Sequence, residues 1–316
     1  MLTKFTNVTP LQENKKTFAW ILLITLALVW GTSFILIKRG LVVYSPIEVG
    51  SFRIFVSGIC CILLLIFNFS HIPFNKWKLA IISGLLGNLF PSLLFSMAGS
   101  YLESSVSGIL NAFTPLATLV IGILFFMQKT SHRKIVGILI GLIGCIWLVF
   151  VNADGKFHVN QYAILPVIGT ILYGINFNFF KRYLSDVNPL YFAILVLSIM
   201  TIPAGIIVLS TNFINKTITN PQSHIAISFI ILLAVLSSVI GTILSNKLNQ
   251  IASPLLTSSV TYLIPVVAIM WGVLDGEILG IVQCIGVLTI IIGILLVNTP
   301  GKRLSDKNIE IEKEGL

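Results

Sequence analysis

The sequence predicts an all-α membrane protein: ten transmembrane helices, arranged as two inverted five-helix repeats around a central cavity. Three observations predict it. Of 316 residues, 56% are hydrophobic and 10% charged, with mean hydropathy +1.00, whereas a soluble domain is about 25% charged. Apolar stretches of bilayer-spanning length, roughly 20 residues, recur along the chain. The chain also matches itself. At a shift of 143 residues, Trp30-Gly31, Phe34, Lys38-Arg39 and Pro46 fall on Tyr173-Gly174, Phe177, Lys181-Arg182 and Pro189. At shifts of 149–150, Gly137, Gly144 and Pro115 fall on Gly286, Gly293 and Pro265. Five spans per copy make the second copy enter the bilayer from the opposite side. Inverted repeats of this kind are common among membrane transporters.

In order, the first repeat (18–151) holds helices expected at 18–37, 46–68, 78–98, 104–126 and 133–151. The second (161–298) holds 161–182, 188–210, 224–247, 252–274 and 278–298. Residues 1–17 and 299–316 are polar tails, and the long connections are 152–160 and 211–223. Lys15-Lys16 precede an apolar run too long for a cleavable signal, with no small-residue cleavage site behind it. With the N-terminus in the cytoplasm, 15 of the 20 Lys and Arg fall on the inside and four on the outside. Both termini are therefore expected to be cytoplasmic, in an inner (plasma) membrane. The net charge of +9 lies in these short loops and tails, which argues against a nucleic-acid partner. Cys60, Cys61, Cys145 and Cys284 lie in apolar stretches and read as buried small hydrophobes. No cofactor or metal site is expected. Gly137, Gly141 and Gly144 form a small-residue face suited to helix packing.

Several motifs recur in order: Trp30-Gly31-x-x-Phe34, Pro46 with Arg53, Pro115, Pro265 and Gly276-Glu277. Together they resemble the EamA-like branch of the drug/metabolite transporter superfamily over nearly the whole chain. The resemblance implies ten helices in two inverted repeats, a central cavity and alternating access. It also points to amino acids and related metabolites, often exported. One departure is Met127-Gln128, which stands where the family often has Gly-Glu between the fourth and fifth helices.

The candidate substrate site comes from features inside the spans. Pro115 and Pro265 free the carbonyls four residues earlier, those of Asn111 and Thr261, the latter beside Tyr262. A freed carbonyl cannot stay bare in lipid, so it should face protein, water or substrate. A kink used only for packing is the alternative. Trp30 and Tyr173 lie at mid-depth, away from the interfaces that such residues favour. They read as cavity walls, or as packing beside Gly31 and Gly174. Asn88, one turn before Pro91, joins Asn176, Asn178, Ser237, Ser238, Thr242 and Ser245 as polar groups facing a site or bonding neighbouring helices. Arg53 lies roughly 10 Å inside the second span. It reads as a gating or structural charge that pairs with Glu48, Glu103 or Glu277 or caps loop carbonyls, rather than as a substrate contact. Leu22 and Ile291 are expected to face lipid.

No Asp, Glu or His falls near a midplane, so a carboxylate relay for proton coupling is not visible. An enzyme would need clustered catalytic side chains, and no such constellation or nucleotide motif is present. The sequence therefore favours a secondary transporter for a small neutral or zwitterionic metabolite, working as a monomer or homodimer in the lipid bilayer. A carrier of nucleosides, nucleobases or drug-like compounds is the runner-up. A non-transporting membrane protein is less favoured, because it leaves the paired prolines unexplained.

Overall fold

The computed structural model describes residues 10–128, 131–150, 160–277 and 280–298, and every regular element among them is helical. The tail 299–316 and nearly all of the connection 152–160 lie outside the described residues. The first half contains α1 (Pro10–Gly40), α2 (Pro46–Phe67), α3 (Trp77–Gly84), α4 (Phe90–Ala98), α5 (Ser104–Asn111), α6 (Thr114–Phe126) and α7 (His132–Phe150). The second contains α8 (Ile164–Tyr183), α9 (Pro189–Leu209), α10 (Phe213–Thr219), α11 (Ser223–Leu233) and α12 (Gly241–Ile251). It ends with α13 (Pro254–Ser258), α14 (Ile264–Leu274) and α15 (Ile281–Asn298).

Among the described residues, eight helical stretches are long and apolar enough to cross a membrane. This is an all-α membrane protein. The fifth and tenth expected spans coincide with α7 and α15, which do not enter that count. Helix starts follow local rules. Ser45-Pro46, Asn188-Pro189 and Ser253-Pro254 each place an amide-accepting side chain at the cap and proline in the first turn. At α2 the Glu48 carboxylate reaches back to the Ser45 amide, completing a capping box.

Packing exchanges elements between the two halves. α1 lies against α11, α12 and α14, and α8 lies against α3, α4 and α6. α2 packs along α9, and α7 along α15. The α7–α15 contact runs over glycines: a Cβ on Gly293 would come within 2.6 Å of the Gly137 carbonyl oxygen. Ile21, Ile24 and Leu28 leave one stripe of α1 exposed, and Ile202, Ile206 and Leu209 do the same on α9. Such faces suit lipid contact.

Four expectations change. α1 begins at Pro10, well inside the expected tail 1–17. Leu22 is buried with Leu26, Leu248 and Val260, and Ile291 is half-buried, because α1 and α15 turn these positions toward neighbouring helices. Cys284 is exposed, unlike the buried Cys61. The connection 211–223 folds into α10, because Phe213 inserts between rings, 4.3 Å from Phe52 and 4.6 Å from Tyr44.

Met127 follows the last turn of α6 with φ 52°, and Gly276 holds the matching place after α14 with φ 85°. Left-handed backbone costs a side chain-bearing residue about 1 kcal/mol. Met127 is also 91% exposed, so its side chain contributes little packing. Met127→Gly should therefore raise stability, by about 0.5 kcal/mol after the added unfolded-state entropy of glycine. Thermal melting of the two proteins in one detergent checks this. A lower melting temperature for the variant would contradict it.

Candidate functional site

Two helices change register inside the bundle. Between α3 and α4, Leu85–Leu89 form a π turn in which the Phe90 amide bonds the Leu85 carbonyl, five residues back. Pro91 has no amide to offer the Gly87 carbonyl in an α register, which favours a wider turn here. Between α11 and α12, Ala234–Ile240 form a second π turn. Their first residues, Leu85 and Ala234, are 149 apart, the shift that also relates the two sequence halves. π turns cluster at functional sites because they displace side chains and loosen backbone hydrogen bonding.

A ring of polar and aromatic groups is built on these two turns. From α1, Trp30 Nε1 donates to the Ser237 carbonyl at 3.2 Å, and its indole lies over Gly241. From α2, Arg53 Nε donates to Ser238 Oγ at 3.3 Å. Thr242 donates to Asn88 Oδ1 at 3.1 Å, joining α12 to the first π turn. Ser83 donates to Asn176 Oδ1 at 2.8 Å, joining α3 to α8, and Asn176 lies over Gly87. Tyr173 stacks on Phe95 with centroids 6.0 Å apart. Trp30, Tyr173, Asn176 and Thr242 are half-buried and Asn88 is buried. Trp30, Asn88, Tyr173, Asn176 and Thr242 thus stand around one centre, with Arg53 among them.

The proline pair stands apart from this ring. α5 ends at Asn111 and α6 restarts at Thr114, with Pro115 in its first turn. The second break runs through the 3₁₀ turn Ser259–Tyr262 into α14, with Pro265 likewise placed. The carbonyl of Asn111 is not bare: Thr114 Oγ1 donates to it at 2.7 Å and lies 3.3 Å from Asn111 Oδ1. Thr261 donates its hydroxyl to the Ser258 carbonyl at 2.8 Å. Tyr262 packs beside Ile109 and Ala112. Among the described residues, no hydrogen bond links Asn111 or Thr261 to the ring.

Glu48, Glu103, Asp275 and Glu277 gather at one end of the bundle, and none of them pairs with Arg53 among the described residues. Glu277 accepts from Lys38 Nζ at 2.8 Å, from the Ser104 amide at 3.1 Å and hydroxyl at 2.6 Å, and from the Ser105 amide at 3.1 Å. A carboxylate over the exposed amides at the start of α5 is favourably placed. Burial pushes the Glu277 carboxyl up, but bonds from Lys38, Ser104 and Ser105 outweigh it and hold the group down at about 2. Asp275 binds Lys38 at 2.6 Å and also pairs with Arg39. Glu48 binds Lys216 at 2.7 Å. Glu103 is exposed as a residue but its carboxyl is partly desolvated, and this and the Glu277 charge hold it above the usual range. The pairing expected between Arg53 and Glu48, Glu103 or Glu277 is therefore not formed, because lysines from α1 and α10 occupy Glu277 and Glu48. Space between Phe34, Lys38, Phe95 and Ser107 at this end amounts to about 10 Å³, room for about one water.

The matching lysine does a different job. Lys181 lies 143 residues after Lys38 and donates to the carbonyls of Asn249, Gln250 and Ala252 at 2.8–3.2 Å. Gln128, which stands where the second half has Glu277, donates to Asn178 Oδ1 at 2.9 Å. Ser83, Gly87, Phe95 and Gly241 belong to the site but were not marked in the sequence. Only the Asn88–Pro91 spacing hinted at the first π turn.

These elements define a polytopic α-helical membrane protein with polar groups gathered at paired helix interruptions. Residues 17–150 and 161–299 each match the EamA-like transporter family. The chain belongs to that family and is a membrane transporter. It is 28% identical over 287 residues to an "Uncharacterized inner membrane transporter YedA" of Escherichia coli strain K12, covering 89% of this chain and 90% of the other. It is 21% identical over 270 residues to an "Uncharacterized transporter in trpA 3'region" of Buchnera aphidicola subsp. Schlechtendalia chinensis, covering 82% and 86%. A crystal structure at 16% identity superposes with a TM-score of 0.62 over 93% of this chain and 99% of the other, a likeness of fold alone.

Proposed function

We propose that the protein is a secondary transporter that moves a small neutral or zwitterionic metabolite, an amino acid or derivative, by alternating access. In this reading its ten helices form two inverted five-helix repeats, 18–151 and 161–298, with both tails cytoplasmic in an inner membrane. The reciprocal packing of α1 and α8, each against the third and fourth spans of the other half, supports such repeats. The name of the Escherichia coli relative supports the location. The Lys38–Glu277 cluster then closes the outer end.

The ring around the two π turns carries the proposal, because it gathers neutral hydrogen-bonding groups and aromatic faces from both halves at mid-span. Neutral polar groups between aromatic walls suit a compact polar solute with an apolar body. The test is uptake and efflux of an amino-acid and nucleoside panel in proteoliposomes, repeated with Trp30→Ala, Asn88→Ala and Thr242→Val. Each variant should still fold, melting somewhat below the parent because it also loses a bond within the bundle, and should weaken substrate affinity about tenfold or more, as loss of one buried polar or stacking partner costs about 1–3 kcal/mol. Parent-like affinity in all three would remove the ring as the site.

A further inference from the structure

Arg53 is 8% exposed, on a helix that spans the membrane, yet among the described residues no acid pairs with its charge. A guanidinium carries five N–H donors. One of them, on Nε, reaches Ser238 Oγ at 3.3 Å. Among the described residues, neither Nη group takes part in a hydrogen bond or ion pair. The nearby carbonyls of Arg53 itself and of Ala234 are taken by the Ser57 hydroxyl, at 2.6 and 3.1 Å. Of the candidate acids, Glu48 is held by Lys216 and Glu277 by Lys38, and Glu103 is exposed and forms no ion pair with Arg53 among the described residues. An unpaired charge inside a bilayer is costly and is kept where it meets a ligand or a pathway. The surroundings match a ligand. Ser238 belongs to the π turn whose neighbouring carbonyl holds Trp30, and the Tyr173 hydroxyl lies within electrostatic reach of the guanidinium.

Building on the transporter reading above, we propose that Arg53 anchors the carboxylate of the transported solute through its two unused Nη groups, while the body of the solute lies between Trp30 and Tyr173. The paired Nη donors match the two oxygens of one carboxylate. A single cation suits a single negative charge. A phosphate dianion would call for a second basic group, and Lys38 and Lys181 are both already bound. Thr242, about one helical turn beyond Ser238, and Asn88, bonded to it, supply neutral partners for an amino or hydroxyl group of the same solute.

The experiment follows thermal melting and competitive uptake of the purified full chain in lipid nanodiscs and proteoliposomes. The probes are the standard amino acids and short monocarboxylates, each paired with its carboxamide, and a long-chain fatty acid. At least one small carboxylate should stabilise and be transported, with its carboxamide at least a hundredfold weaker. Arg53→Gln should abolish that stabilisation yet melt no lower than the parent without ligand, since it removes an unpaired buried charge. Arg53→Lys should keep binding at least tenfold weaker, because it keeps the charge and loses the fork. Equal response to acid and amide overturns the proposal, and so does stabilisation by the fatty acid alone or by no acid at all. If Arg53→Gln fails to fold, the role is structural unless the acid–amide contrast holds in the parent and weakens in Arg53→Lys. Transport of solutes without carboxylate dependence would sink this inference and leave the transporter reading standing. Transport insensitive to Trp30→Ala, Asn88→Ala and Thr242→Val would sink the ring itself.

Discussion

Glu277→Ala should destabilise the protein by about 2 kcal/mol at neutral pH and loosen the end of the bundle where Lys38 lies. The carboxylate holds together the last turn of α1, the loop after α14 and the first turn of α5. Its removal strands two backbone amides and one hydroxyl at the start of α5. Hydrogen bonds to a charged group contribute about 1.5–3 kcal/mol each, but Lys38 is half-exposed and keeps Asp275, so solvent screening lowers the total. The pH dependence has a definite sign. The folded carboxyl is held at about 2, below the ordinary 4.5. Its contribution is therefore fully present above pH 4.5 and lost as pH falls through 2. Melting curves of the parent and Glu277→Ala should lie apart at pH 7 and converge below pH 4.5. Coincident curves at pH 7 would mean that the α5 amides find water as readily as carboxylate.

Gly174→Val should be a severely damaging substitution in the core, at about 3 kcal/mol. A Cβ there would stand 2.9 Å from the Thr118 amide nitrogen and 3.0 Å from the Ala117 carbonyl carbon. Both are backbone atoms of α6 and cannot turn aside. α8 is pinned at this distance, because Asn178 Nδ2 donates to the carbonyls of Thr118 and Gly174, each at 2.9 Å. Valine must therefore either part the helices and break those bonds or distort one backbone. Overpacking of this kind typically costs 1–3 kcal/mol. Gly174→Ala should cost about half as much. Melting in detergent measures both. A Gly174→Val protein melting with the parent would show that α8 and α6 are not in tight contact in the membrane.

Much of the fold was legible because its signals are local. Twenty apolar residues report a span whatever surrounds them, and Ser45-Pro46 or Asn188-Pro189 marks a helix start by its own chemistry. The proline breaks at Pro115 and Pro265 were readable for the same reason. What escaped depends on direction in space. Whether Leu22 faces lipid or α12 is decided by the rotation of α1, which the all-round apolar helix does not encode. The π turn at Ala234–Ile240 has no proline to announce it. Reckoned by depth in the sequence, Arg53 lies near the level of Glu48 and Glu277. Depth says nothing of azimuth, and lysines that looked like topology markers had taken those acids. The carbonyl of Asn111 looked free because the sequence shows the missing amide of Pro115 but not the rotamer of Thr114.

Lys38 and Lys181 occupy one position of a duplicated segment, and they have parted in the kind of partner they hold. One closes its end of the bundle on two carboxylates, the other on the last carbonyls of a helix. Attraction between full charges weakens as salt thickens the ion atmosphere, over a Debye length of about 8 Å at physiological strength. A bond from lysine to a carbonyl dipole is short-ranged and responds less. Two lysines at matching positions thus answer differently to the medium they face. In the alternating-access cycle proposed above, that difference would make the balance between the two half-turns depend on the salt at the Lys38 end, although the scaffold beneath them is shared.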